Sequence, residues 1–77
     1  MIDDDAELVR LEQCAEDAYS RMYDASNFTA ATGHYSDVKG FLADAIGRAY
    51  RIGRADVAIR LELRLDHIRA VYRSQFS

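Results

Sequence analysis

The chain contains no proline. A proline inside a helix removes a backbone hydrogen bond and clashes with the preceding turn, so its absence leaves long helices uninterrupted. Tryptophan is also missing, and cysteine occurs once, at Cys14. One cysteine excludes a disulfide within the chain. Together with only two histidines, His34 and His67, it falls short of a Cys₂His₂ or Cys₄ zinc site. No apolar run approaches the roughly 20 residues that span a bilayer. The acidic start Met1-Ile2-Asp3-Asp4-Asp5 is the opposite of a basic signal or transit peptide. These absences point to a reduced cytoplasmic setting, with no metal, no cofactor and no membrane association. Lysine is scarce too: of the 10 basic residues only Lys39 is not arginine, a usage that fits a GC-rich bacterial genome.

What is present is enough apolar material for one small domain covering 1–77. The chain is 77 residues long and 49% hydrophobic, too apolar for disorder. Chains of this size bury a modest core and commonly supplement it with disulfides, a metal or oligomerisation; with the first two excluded, self-association is the device left unless three-helix packing alone suffices.

Apolar spacing predicts an all-α fold of three helices, over about 4–25, 36–52 and 55–75. In the first, Leu8, Leu11, Ala15, Ala18, Met22 and Ala25 recur at intervals of three and four. Asp4 and Glu7 have capping-box spacing. For the second, Ser36 is a good N-cap with Asp37 in the first turn, followed by the stripe Val38, Phe41, Leu42, Ala45, Ile46, Ala49 and Ile52. Gly53 supplies a left-handed closing residue. The third carries Ala58, Leu61, Leu65, Ile68, Tyr72 and Phe76. So short a connection folds the last two helices into an antiparallel hairpin, with the N-terminal helix covering it.

The segment 26–35 is the least regular. Asn27 could close the first helix, or that helix could run on to Thr32 with Gly33 as its stop. Phe28 and Tyr35 flank small polar residues and His34, which reads either as a lid under the bundle end or as a recognition loop.

The segment Ile46-Gly47-Arg48-Ala49-Tyr50, then Gly53, then Ala58-Ile59, resembles the middle of a tetratricopeptide repeat. The likeness covers one copy, about residues 36–70. It implies a helical hairpin with Gly47, Tyr50 and Ala58 at the family's packing positions, and a protein-binding module without chemistry of its own.

No catalytic constellation emerges. His34 lies near Ser36 and Asp37, but a triad also needs spatial geometry and an oxyanion hole. No small-molecule substrate is expected, and the chain reads as non-enzymatic. Two binding readings remain. The third helix has a second apolar line, Ile59, Leu63 and Ala70, roughly opposite its main stripe, and the second helix has Gly40 and Gly47 on its back. Those five residues form a candidate interface, with a second copy or another protein as partner. Alternatively Arg60, Arg64, His67, Arg69 and Arg73 give the third helix a basic cast that could contact nucleic acid. The net charge of −3 and the interspersed Asp56, Glu62 and Asp66 oppose this. Charge is uneven along the chain: residues 1–27 carry eight acids and two arginines, the rest five acids and eight bases. This predicts attraction between the first helix and the arginine-bearing hairpin, or an acidic arm for a basic partner.

Overall fold

The computed structural model describes residues 3–76, and the Phe76 side chain, expected to end the third stripe, lies outside what is described. Three helices follow one another: α1 (Asp4–Tyr23), α2 (Phe28–Arg51) and α3 (Ala55–Phe76). No strand occurs among the described residues. The all-α, three-helix architecture expected from the spacing is the one found.

The main departure is at the start of the second helix, which begins at Phe28 rather than Ser36. Asn27 is not a closing residue of the first helix. Its backbone is extended (φ −151°), and its side chain accepts a hydrogen bond from Ala30 N–H at 2.8 Å, the geometry of an N-cap. Asparagine suits either end of a helix, so its identity alone does not decide. The decisive pattern is that the α2 stripe extends upstream of Val38, through Tyr35 and Ala31 at the same three-four spacing; Ala31 is fully buried and Tyr35 packs against the core. Gly33 and Ser36 therefore sit inside the helix, and α1 stops at Tyr23, short of both Ala25 and Thr32. Residues 28–35 of that segment are thus part of α2 rather than a loop. At the N-terminus the cap is Asp3, whose side chain accepts from Asp5 N–H, which places Asp4 one residue inside the helix.

The second turn agrees with the expectation. Gly53 has φ 77°. The Arg54 N–H reaches Ala49 C=O at 2.8 Å and the Gly53 N–H reaches Tyr50 C=O at 3.2 Å, the paired bonds of a Schellman closure.

α2 is the central helix: α1 and α3 each pack along it and much less against each other. The central cluster of the core draws four residues from every helix: Leu8, Leu11, Ala15 and Ala18; Val38, Leu42, Ala45 and Ala49; Ala58, Leu61, Leu65 and Ile68. Met22 of α1 and Ala31 of α2 are buried as well. The alanines let the helix axes approach; the leucines fill the space between. The resulting body is elongated and flattened, with extents of 40 × 22 × 13 Å.

Because both α1 and α3 run antiparallel to α2, they are parallel to each other, and their side chains meet in register. Arg54 binds Asp5 (3.2 Å), Arg60 binds Glu12 (2.8 Å), and Arg64 binds Glu16 through two nitrogens (2.6 and 3.0 Å). The Arg64 guanidinium also lies 5.0 Å from the centre of the Tyr19 ring. The charge asymmetry of the sequence is thus used inside the molecule, to tie the acidic first helix to the arginines of the third. These pairs are mostly exposed, so each is worth at most about 1 kcal/mol. Their collective effect is to fix which flank of α3 faces α1.

Candidate interaction surface

The core positions and the arginine ladder leave one side of α3 unused. Ala58, Leu61, Leu65 and Ile68 turn inward, and Arg60 and Arg64 turn toward α1. At 100° per residue, Ile59, Leu63 and Ala70 fall together on the side opposite the core. Ile59 is 54% exposed and Leu63 65%, the latter the most exposed large apolar residue described. Ala70 is exposed beside them.

Gly40 and Gly47 are exposed as well, but they belong to a different face. Gly47 lines a groove of about 430 Å³ between α2 and α3, together with Ala43, Ile46, Tyr50, Leu65 and the polar row Glu62, Asp66 and Arg69. That polar row separates the glycines of α2 from the apolar line of α3. The five residues of the candidate interface therefore divide into two sets. A Cβ added at either glycine would meet nothing within 4 Å, so no close helix approach within the chain requires them. Gly40→Ala and Gly47→Ala are accordingly expected to raise stability by about 0.5–1 kcal/mol each, measured by urea denaturation. If alanine at these positions instead weakens self-association seen by light scattering, a partner backbone packs on α2.

The groove's rim is hydrogen-bonded. Tyr50 donates its phenolic proton to the Glu62 carboxylate, which raises the tyrosine pKa above its ordinary value. Asp66 and Arg69 form the pair expected from their spacing, at 3.7 Å. Of the residues that carry the tetratricopeptide likeness, Ala58 is fully buried, Tyr50 is half exposed, and Gly47 lies open in the groove.

The five residues of the basic reading do not form one patch. Arg60, Arg64 and His67 lie on the flank of α3 toward α1, whereas Arg69 and Arg73 lie on the flank toward α2. Hydrogen bonds to Glu12 and Glu16 hold the Arg60 and Arg64 guanidiniums further above their ordinary pKa. They are neutralised locally rather than presented as a cationic surface.

His34 and Ser36 are two residues apart on one helix, which turns their side chains about 200° from each other. His67 is exposed. Cys14 is half-buried, with the Arg10 guanidinium 3.9 Å from its sulfur. Among the described residues there is no group of three or more His, Cys, Asp or Glu side chains able to hold a metal ion, and no helix long and apolar enough to cross a membrane.

The aromatic residues form the other organised feature. Tyr72 stacks on Tyr35 with ring centres 4.0 Å apart, and its hydroxyl is 2.7 Å from Thr32 Oγ1. Phe28 leans against the same ring at 6.5 Å, and the Lys39 ammonium lies 4.6 Å from the Tyr35 ring centre. The cluster clasps the C-terminal part of α3 to the first turns of α2. In the sequence Phe28 and Tyr35 stand out as a flanking pair, but their partner Tyr72 is about forty residues away and gives no local sign of the contact. The chain matches no family model, no curated protein and no solved structure.

Proposed function

We propose that the protein is a non-enzymatic helical module that associates with a second copy of itself through the outer face of α3. The observation that carries this reading is the position of Ile59 and Leu63. Each is more than half exposed on a helix whose inward positions are already filled by Ala58, Leu61, Leu65 and Ile68. Scattered exposed apolar residues are ordinary, but two bulky ones a single turn apart, with Ala70 in line, make a strip that a second helix can cover. The small size of the core adds a motive, since association supplies burial that a three-helix chain this short lacks. A lone, half-buried cysteine suits a reducing cytoplasmic setting.

Leu63→Glu provides the test. The side chain is exposed in the single chain, so the variant should keep its helicity and melting temperature. It should also lose the concentration-dependent increase in molar mass that the unaltered protein shows by size exclusion with light scattering. Unchanged mass in the variant would overturn the surface, and a monomer at all concentrations of the unaltered protein would overturn self-association.

A further inference from the structure

We propose that the Arg60–Glu12 pair is a salt-sensitive gate over an apolar trough between α1 and α3. Two recesses lie in the gap between these helices. One, of about 280 Å³, has Leu42 and Leu61 at its base and the Arg60–Glu12 and Arg64–Glu16 pairs along its sides. The other, of about 260 Å³, lies toward the Gly53 turn and is lined by Leu8, Val9 and Val57, with Asp5 and Arg54 at its edge. Glu12 and Arg60 line both. That pair is therefore the partition between them, and its release joins the two into one trough floored by leucine and valine. The gate is independent of self-association, because it lies on the flank of α3 toward α1.

The first recess receives no apolar side chain from α1, which supplies Glu12 and Glu16 there. Leu42 and Leu61 are nonetheless buried. On this side the stems of the paired residues shield them, as long charged side chains do while keeping their charges in water.

The three links across the gap are not equally held. Arg64 binds Glu16 through two nitrogens, lies over the Tyr19 ring, and has a side chain only 33% exposed. Arg54 lies within 4.0 Å of two carboxylates, those of Asp5 and Asp56. Arg60 binds Glu12 through one nitrogen, and its side chain is 60% exposed. The middle link is thus the one that opens most readily. Its attraction acts through water, where the Debye length falls from about 10 Å at 0.1 M salt to about 3 Å at 1 M. Sodium chloride does not weaken the apolar packing of Leu61 and Ile68 in this way. Raising salt therefore frees the gate while the core stays closed, which separates gating from unfolding.

Thiol labelling reads the gate. In a Cys14→Ser background, Leu61→Cys places the only thiol at the base of the trough, and Ile68→Cys places it in the core outside the trough. Once circular dichroism confirms the fold, each chain is treated with iodoacetamide, an uncharged reagent, at 0.1 and 1 M NaCl. Labelling at position 61 should rise about two- to fivefold with salt, the range set by loss of one exposed ion pair. Labelling at position 68 should not rise. Adding Glu12→Gln to Leu61→Cys should give the faster rate already at low salt and remove the salt response. Should Leu61→Cys not fold, Val57→Cys, at a half-buried position in the adjoining recess, takes its place with the same expected response. A rate independent of salt would overturn the gate. Equal salt responses at positions 61 and 68 would overturn it too, by showing that the chain opens as a whole. A salt response that survives Glu12→Gln would remove the Arg60–Glu12 pair from that role.

Discussion

Leu42→Ala is expected to destabilise the protein by about 3 kcal/mol, within the range of roughly 2–5 kcal/mol for a buried leucine truncated to alanine. Leu42 is 1% exposed and lies midway along α2. It forms the floor of the gap between α1 and α3, beneath the Arg60–Glu12 and Arg64–Glu16 pairs. Above Leu42 the gap is lined by those long polar side chains and by Leu61, which is itself held in the core, so the space it would leave is only partly refilled. The cavity contribution should therefore be large. A domain of this length has a total stability of about 4–12 kcal/mol, so the variant loses a substantial part of it. Urea denaturation followed by circular dichroism at 222 nm measures the change. A loss below about 1 kcal/mol would mean that the two outer helices close over the site, contrary to the packing described.

Tyr72→Ala should cost about 2–3 kcal/mol, less than the roughly 3–5 kcal/mol of a fully buried aromatic because Tyr72 is only half-buried. It removes the ring stacked on Tyr35 and the hydroxyl contact with Thr32 together. Tyr72→Phe keeps the stack and should cost about 1 kcal/mol, the net worth of one hydrogen bond. The two variants also differ in where the loss is felt. The clasp is the aromatic attachment of the C-terminal part of α3 to α2, so Tyr72→Ala should raise amide exchange selectively beyond Ile68, with the Ala58 to Leu65 region protected. Uniform loss of protection along α3 would show that the helix unfolds as one unit with the core and that the clasp has no local role.

The start of α1, the extent of α3, the Gly53 turn and most of the core were legible because each rests on local or periodic information. Three-four spacing selects a helix face, and a glycine at a helix end accommodates a left-handed residue without a Cβ clash. The start of α2 was not legible. Asn27 can cap either end of a helix, and Ser36 followed by Asp37 is a plausible start in isolation. The choice is made by the burial of Ala31 against the bundle and by Tyr35 finding Tyr72, partners remote in sequence. The candidate surface was legible in the same partial way. The outward line of Ile59, Leu63 and Ala70 follows from the period of one helix. That Gly40 and Gly47 lie on another face follows only from how α2 and α3 pack, with Glu62, Asp66 and Arg69 between them.

By itself, then, the amino-acid sequence determined that this protein is all-helical, has three helices, and carries an acidic first third against a basic remainder. It did so through periodicity, end signals and composition, which act within a few residues of each other. Tertiary structure alone decided three things. α2 runs eight residues further upstream than its local signals indicate. The arginines of α3 are divided between two flanks, two of them bound to glutamates of α1. One seam of α3 is left uncovered. Each depends on which residues distant in the chain meet, and that is set by close packing of three helix faces at once.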